Sequence, residues 1–221
     1  MYCLTAFFLA ATVTLSLAAT TRDSNQYIDT VLQHNLPGLV RGTGKLYPVA
    51  TIPDFKIKVE STSVTNRDLK ADLEHGAVHG LDTRVRRAGD CNPPVLIAGN
   101  VTISCILDFS GINATFAAEV KGDSLLARKK VVPVNVTVTD TTGRLEATAL
   151  PGAPATIRTF YLESIKLRTK YGKDLSLNDE RKREFKSKVE EKVNAHLYSL
   201  LYNDYQAVLN RAIQATPFPR V

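Results

Sequence analysis

Between Asn178 and Thr216 the chain contains neither proline nor glycine, and no other feature of the sequence restricts the fold so tightly. Asn178 is a suitable N-cap, and Asp179 and Glu180 place negative charge in the first turn, where it complements the helix dipole. Phe185, Val189, Val193, Leu197, Leu200, Leu201, Val208 and Ala212 recur as one apolar stripe. Tyr198, Tyr202, Tyr205, Leu209 and Ile213 widen it in the second half to more than half the circumference. The first half, "ERKREFKSKVEEK", is charged on most sides. A helix from Asn178 to about Ile213 is roughly 54 Å long at 1.5 Å per residue. So wide an apolar arc has to be enclosed by something of comparable length.

The rest of the chain supplies strands. Asp23 and Ser24 open a first short helix carrying Tyr27, Ile28, Val31, Leu32 and Leu36, which Pro37-Gly38 is expected to end, with a connector following to Pro53. From there the apolar period changes to two. Phe55, Ile57 and Val59 alternate with charged residues, then Leu69, Ala71 and Leu73 do so. In "NVTISCILDF", Val101, Ile103, Cys105, Leu107 and Phe109 occupy every second place. Read as one strand, Val95–Phe109 is about 50 Å long at 3.3 Å per residue, close to the length of the helix. Ala114–Val120, Val131–Val138 and the Leu145, Ala147, Ala149 series follow, then a long extended run, Ile157–Tyr171, whose phase slips as at a bulge. "GINA", "KGDS" and "DTTGR" are turns short enough to make neighbours antiparallel. The expected fold is α+β: a long, highly curved antiparallel β-sheet wrapped around a long C-terminal α-helix, with a short N-terminal helix.

The first 19 residues lack charge, and Phe7 to Ala19 is an apolar run followed by small residues, as in a signal peptide. A membrane anchor is the alternative, but the run falls short of the roughly 20 apolar residues a span needs. Cleavage leaves residues 20–221 as one secreted domain with two cysteines, Cys91 and Cys105, expected to pair in an oxidising compartment. Three N-glycosylation sequons, at Asn100, Asn113 and Asn135, each place the acceptor on the polar face of its strand, where carbohydrate has room. The net charge of +6 favours acidic partners, and no nucleic-acid motif accompanies it.

Motifs for covalent or metal chemistry are missing: there is no Gly-x-Ser-x-Gly, no His-Glu-x-x-His and no phosphate-cradling glycine loop. His75 and His79 are four apart, but on a strand that spacing is about 13 Å, too far for one ion. Neither a metal, a cofactor nor an enzymatic activity is therefore expected. "RVRR" at Arg84–Arg87 has three readings: a basic processing site, an anionic-surface or head-group patch through Arg84, Arg86 and Arg87, or a strand with solvated arginines.

This order of elements resembles the tubular lipid-binding superfamily, which includes bactericidal/permeability-increasing protein, juvenile hormone-binding and takeout proteins, and the group 7 mite allergens. The likeness to the allergens rests on "GLDTRVRRAGD" at Gly80–Asp90 and on "LNDERKREFKSKVEEKVNAHL" at Leu177–Leu197. The cysteine pair is not part of that family's pattern. The resemblance implies a secreted, non-enzymatic arthropod protein with an apolar pocket for a lipid or other hydrophobic molecule. Phe109, Phe116, Val120, Val134 and Val136 on the strands, with Tyr198, Leu201 and Tyr205 on the helix, are the candidate lining. A filled interior requires the same inward faces, so a second reading stands beside it: a non-enzymatic secreted protein acting on a host or microbial component through the basic helix face Lys182–Lys192.

Overall fold

A computed structural model describes residues 19–62, 67–123 and 128–219. Helix α1 (Thr21–Thr30) runs through a π-helical turn, Val31–Asn35, into α2 (Leu36–Arg41). Pro37-Gly38 therefore does not end the first helix, contrary to the sequence reading. Pro37 falls in the first turn of α2, directly after the widened turn, where a residue without an N–H is tolerated. The connector expected up to Pro53 likewise contains a strand, β1 (Ala50–Ile52).

Ten further strands follow: β2 (Phe55–Val59), β3 (Leu69–His79), β4 (Arg86–Arg87), β5 (Val95–Ile97), β6 (Asn100–Asp108), β7 (Asn113–Lys121), β8 (Lys130–Thr139), β9 (Thr142–Ala149), β10 (Thr156–Leu162) and β11 (Lys166–Tyr171). They form two antiparallel sheets. One has the order β1-β3-β7-β8-β11 with β2 also on β3; the other runs β10-β9-β6-β4 with β5 also on β6.

The two sheets are halves of one curled surface. Between Asp108↔Thr142 in one and Asn113↔Thr137 in the other, both chains advance five residues, so the ladder crosses the seam without a slip. The same holds from Leu162↔Gly143 to Lys166↔Thr139, four residues on each side. Three strand runs therefore pass from sheet to sheet at one level. The Phe109 N–H donates to Thr141 O at 2.9 Å, and the Lys166 N–H donates to Thr141 Oγ1 at 2.9 Å, which ties the crossings together.

Two long runs are interrupted where the sequence reading made them continuous. Val95–Phe109 is a hairpin, because Ala98 (φ 50°) and Gly99 (φ 81°) turn the chain and set Ile97 opposite Asn100. Two successive left-handed residues form the tight turn that two-residue hairpins favour. The length assigned to that strand belongs instead to β6 and β7 taken together. Ile157–Tyr171 is divided at 163–165 by the seam, and the phase slip within it is a real irregularity between Ile157 and Thr159. In β3, His75 (φ 56°) forms a second bulge opposite the Pro53-Asp54 break, and its N–H donates to Asp54 Oδ1 at 3.1 Å.

Asn178 caps the terminal helix, accepting a hydrogen bond from the Arg181 N–H at 2.9 Å. The helix runs as α3 (Asp179–Leu200), a π-helical turn (Leu201–Tyr205) and α4 (Gln206–Gln214), within a residue of the limits read from sequence. Its first half packs on β2 and β11, its last part on β10 and α2. Phe185, Val189, Val193, Leu197, Leu201, Tyr205, Leu209 and Ile213 are buried in one core with the inward residues of both sheets. Ile103, Cys105, Leu107 and Phe109 belong to that core, and Val101 on the same face is buried beyond its edge, while Ile106 on the opposite face is 41% exposed.

Candidate functional site

At the far end of the molecule from Asn178, three segments distant in sequence converge. They are the β5–β6 hairpin, the β9–β10 loop (150–155) and the chain leaving α4 (215–219). Between them lies a groove of about 650 Å³, lined by Leu96, Val101, Leu150, Pro154 and Phe218 with intervening backbone. Leu96 is 62% exposed and Leu150 60%. Exposed leucines are unremarkable one at a time, but a contiguous apolar surface at one end of a fold marks a binding face.

The walls are held firmly. Thr102 and Thr148 share a hydrogen bond across β6 and β9 at 2.9 Å, and the Ala153 N–H donates to Leu150 O at 2.9 Å, closing the loop through Gly152 (φ 81°). The terminal segment is fixed from the other side. Asn35 Nδ2 donates to Thr216 Oγ1 at 2.6 Å, and the Tyr27 ring meets Phe218 edge-on at 5.0 Å. The Tyr27 hydroxyl donates to Ile213 O at 3.0 Å, and burial pushes its phenol well above the usual tyrosine range, so it stays a neutral donor. Below the hairpin, the Cys91–Cys105 disulfide ties the β4–β5 connector to β6, and the Cys91 N–H donates to Asn25 Oδ1 at 2.8 Å.

The groove is mainly apolar, with Gln214, Thr216 and backbone supplying its polar part. Residues 91–107, 147–157 and 212–219, which supply its walls, contain no Asp, Glu, Lys, Arg or His. Pro151, Pro154, Pro217 and Pro219 remove four N–H donors from the lining. Such a surface offers dispersion contacts and desolvation of apolar area, and among the described residues no charged side chain lines it.

No family model matches the sequence. The salivary anticoagulant protein P23 of Ixodes scapularis is 41% identical over 216 residues, covering 95% of this chain and 97% of that protein. The chain belongs to the family of that tick protein. Among solved structures, lipopolysaccharide binding protein matches with a TM-score of 0.56 at 16% identity, over 89% of this chain and 39% of that one. The chain thus spans well under half the length of that structure and shares the fold of the part it covers. Takeout 1 of Epiphyas postvittana is also similar, at 12% identity over 83% of this chain and 85% of that one, with a TM-score of 0.34. The curled antiparallel sheet over a long helix is the fold expected from sequence, and the covered part of lipopolysaccharide binding protein shares it.

The eight residues picked out as a pocket lining lie elsewhere. Phe109, Phe116, Val120, Val134, Val136, Leu201 and Tyr205 are buried in the common core, and Tyr198 packs at its margin. Phe116 and Val134 also border a shallow hollow of about 340 Å³ beside Gly172. None of the eight reaches the apolar groove. Sequence reasoning passed over Leu96, Leu150 and Phe218, although the shared lack of charge in their three segments was there to be noticed.

Of the three arginines, Arg86 pairs with Asp108 at 3.0 Å and Arg87 with Asp29 at 2.9 Å, while the Arg84 side chain lies over Gly80 and Gly111. Only Arg86 and Arg87 are in a strand; Gly80–Val85 forms a turn. Asn135 is exposed, Asn100 and Asn113 half-buried, and all three sit on the face turned away from the core. His79 Nε2 lies 3.2 Å from Thr115 Oγ1, with His75 in the bulge before it. Residues 1–18, most of the expected leader, lie outside the described residues.

Proposed function

We propose that this protein is a secreted, N-glycosylated binding protein, without enzymatic activity, that takes a lipid or other hydrophobic small molecule into the groove between the β5–β6 hairpin, the β9–β10 loop and the segment after α4. The observation that carries this reading is the groove itself, about 650 Å³ with an uncharged, proline-rich lining. That volume falls within the usual range for ligand sites, roughly 300–1,000 Å³. Binding is driven by burial of apolar area at about 25 cal/mol per Å². Residues 1–19 act as the leader, and Asn100, Asn113 and Asn135 carry glycans on outward faces.

The test is displacement of a fluorescent fatty acid from the secreted protein, in the parent and in a Leu96→Asp/Leu150→Asp variant. Both leucines are well exposed, so the substitutions leave the core intact. The parent is expected to bind, and the variant to bind at least tenfold more weakly, about 1.4 kcal/mol. A parent that takes up no fatty acid, or a variant that binds as the parent does, refutes the reading.

The 41% identity to a salivary anticoagulant favours a second reading of physiological role: this chain, too, retards clotting. Purified protein added to plasma is then expected to lengthen clotting time. No change at micromolar concentration counts against it.

A further inference from the structure

The opposite end of the molecule carries a site of contrary chemistry. Lys173 just after β11 and Lys182 and Lys186 on α3 border an open hollow of about 510 Å³, with Tyr171 and Ser176 between them and Lys170 of β11 at its edge. Among the described residues, none of these four ammonium groups has a carboxylate within ion-pair distance; the same is true of Lys70, Lys121, Lys166 and Lys192, but those do not border the hollow, and Lys45, Lys56, Lys58, Lys129, Lys130 and Lys188 are paired. Carboxylates stand close by without pairing to these lysines, among them Asp174, which follows Lys173. Glu190 accepts the Thr169 N–H at 3.0 Å, and Asp179 lies in the first turn of α3.

The arrangement is unfavourable for the free protein in three ways. Lys182 and Lys186 are like charges at i,i+4 on one helix face. Lys182 stands at the end of the first turn of α3, where the dipole disfavours a cation. Lys170 and Lys173 add two more positive charges across the hollow. Thr169, which borders the same hollow, has a buried hydroxyl with no hydrogen-bond partner among the described residues. A multiply anionic ligand relieves the repulsion among these lysine charges.

We propose that this hollow binds a sulfated carbohydrate. Its walls are polar and basic, and four separated ammonium groups suit sulfates spaced along a sugar chain better than one compact anion. A lipid head group is disfavoured by distance, because Lys186 and Gln214 stand about 40 Å apart along the helix, at 1.5 Å per residue. A lipid held in the apolar groove cannot bring its head group to these lysines. The inference is independent of the lipid-binding reading and tested separately from it.

The experiment is calorimetric titration of the secreted full-length protein, at about 0.15 M ionic strength, with a heparin-derived hexasaccharide. Its fully desulfated counterpart, inorganic phosphate and phosphatidylserine vesicles serve as the other ligands. The hexasaccharide alone is expected to bind, with an affinity that falls as salt rises. Lys182→Gln/Lys186→Gln is expected to weaken binding at least tenfold and to flatten the salt dependence, while still taking up fluorescent fatty acid as the parent does. Lys121→Gln/Lys192→Gln, an equal change of charge away from the hollow, is expected to stay within about twofold of the parent. The proposal is overturned if the hexasaccharide does not bind, if the desulfated sugar, phosphate or vesicles bind as well as it does, or if the two double variants lose affinity equally.

Discussion

Tyr205 is completely buried in the π-helical turn of the long helix, and its hydroxyl has no hydrogen-bond partner among the described residues. Replacing it with phenylalanine keeps the ring and removes the orphaned group. A buried hydroxyl without a partner costs about 1–3 kcal/mol of desolvation, so Tyr205→Phe is expected to stabilise the protein at pH 8 by about 1 kcal/mol. The phenol also makes stability depend on pH. Burial, with Asp82 nearby, holds its pKa far above the ordinary tyrosine value, and burial does the same to Tyr27. Both remain protonated when folded at pH 11, while in the unfolded chain, with a pKa of about 10, they release their protons. A raised folded-state pKa contributes stability that is complete below pH 10 and lost as pH rises above it. One unit above the unfolded value, each tyrosine removes about 1.4 kcal/mol. Between pH 8 and pH 11 the parent therefore loses about 2.8 kcal/mol through these two groups, and Tyr205→Phe about half of that. Lysines titrate equally in both proteins and cancel in the difference. Urea unfolding at both pH values measures all four free energies. If the variant is less stable at pH 8, or declines with pH as steeply as the parent, then Tyr205 is hydrogen-bonded or solvated and the reasoning fails.

Joint replacement of Cys91 and Cys105 by alanine opens a loop with a sequence separation of 14 residues; the expected loss is about 3 kcal/mol, or on the order of 6–12 °C in melting temperature by calorimetry. Gly122→Ala places a side chain at φ 98°, with its Cβ only 2.1 Å from Asp68 O, and is expected to destabilise by more than about 2 kcal/mol in urea titration. Asn178→Ala removes the cap of the long helix and is expected to cost about 1 kcal/mol, read as a lower urea midpoint at unchanged slope.

The parts of the fold that were legible in the sequence are those where one physical rule acts locally. The terminal helix follows from a stripe uninterrupted by proline or glycine and from an Asn that both starts and caps it. Alternation identified the inward faces of β6, β7, β8 and β9 correctly, since a one-residue error sends every apolar side chain to solvent. What was missed depends on partners far away in the chain. Ala98-Gly99 turns the strand although alanine seldom adopts a positive φ, and only pairing of Val95–Ile97 with Asn100–Thr102 compensates for it. Pro37 reads as a helix end unless the preceding turn widens. Arg181 reads as one more charge on a solvated face, yet it is 2% exposed, its guanidinium donating to Arg67 O at 2.8 Å and Gly122 O at 3.0 Å. There it closes the end of the sheet over two chain segments that sequence gives no reason to bring together.

The candidate site was obscured for a related reason. Apolar residues at inward positions are needed by any core, so Phe109 or Tyr205 carries the same signal whether the interior is hollow or filled. The groove is instead built where the pattern of a core breaks down, from Leu96 and Leu150 outside the buried set and from prolines at the ends of elements. Its position follows from the seam. Because the ladder runs through Asp108↔Thr142 and Asn113↔Thr137 without a slip, the strands extend from one end of the helix to the other and hold the two ends apart. The hairpin after β5 and the chain leaving α4 meet at one extremity, while β11 and the start of α3 meet at the other. If the uncharged groove and the lysine cluster each take the ligand proposed for them, a substitution at either end is expected to leave binding at the other unchanged.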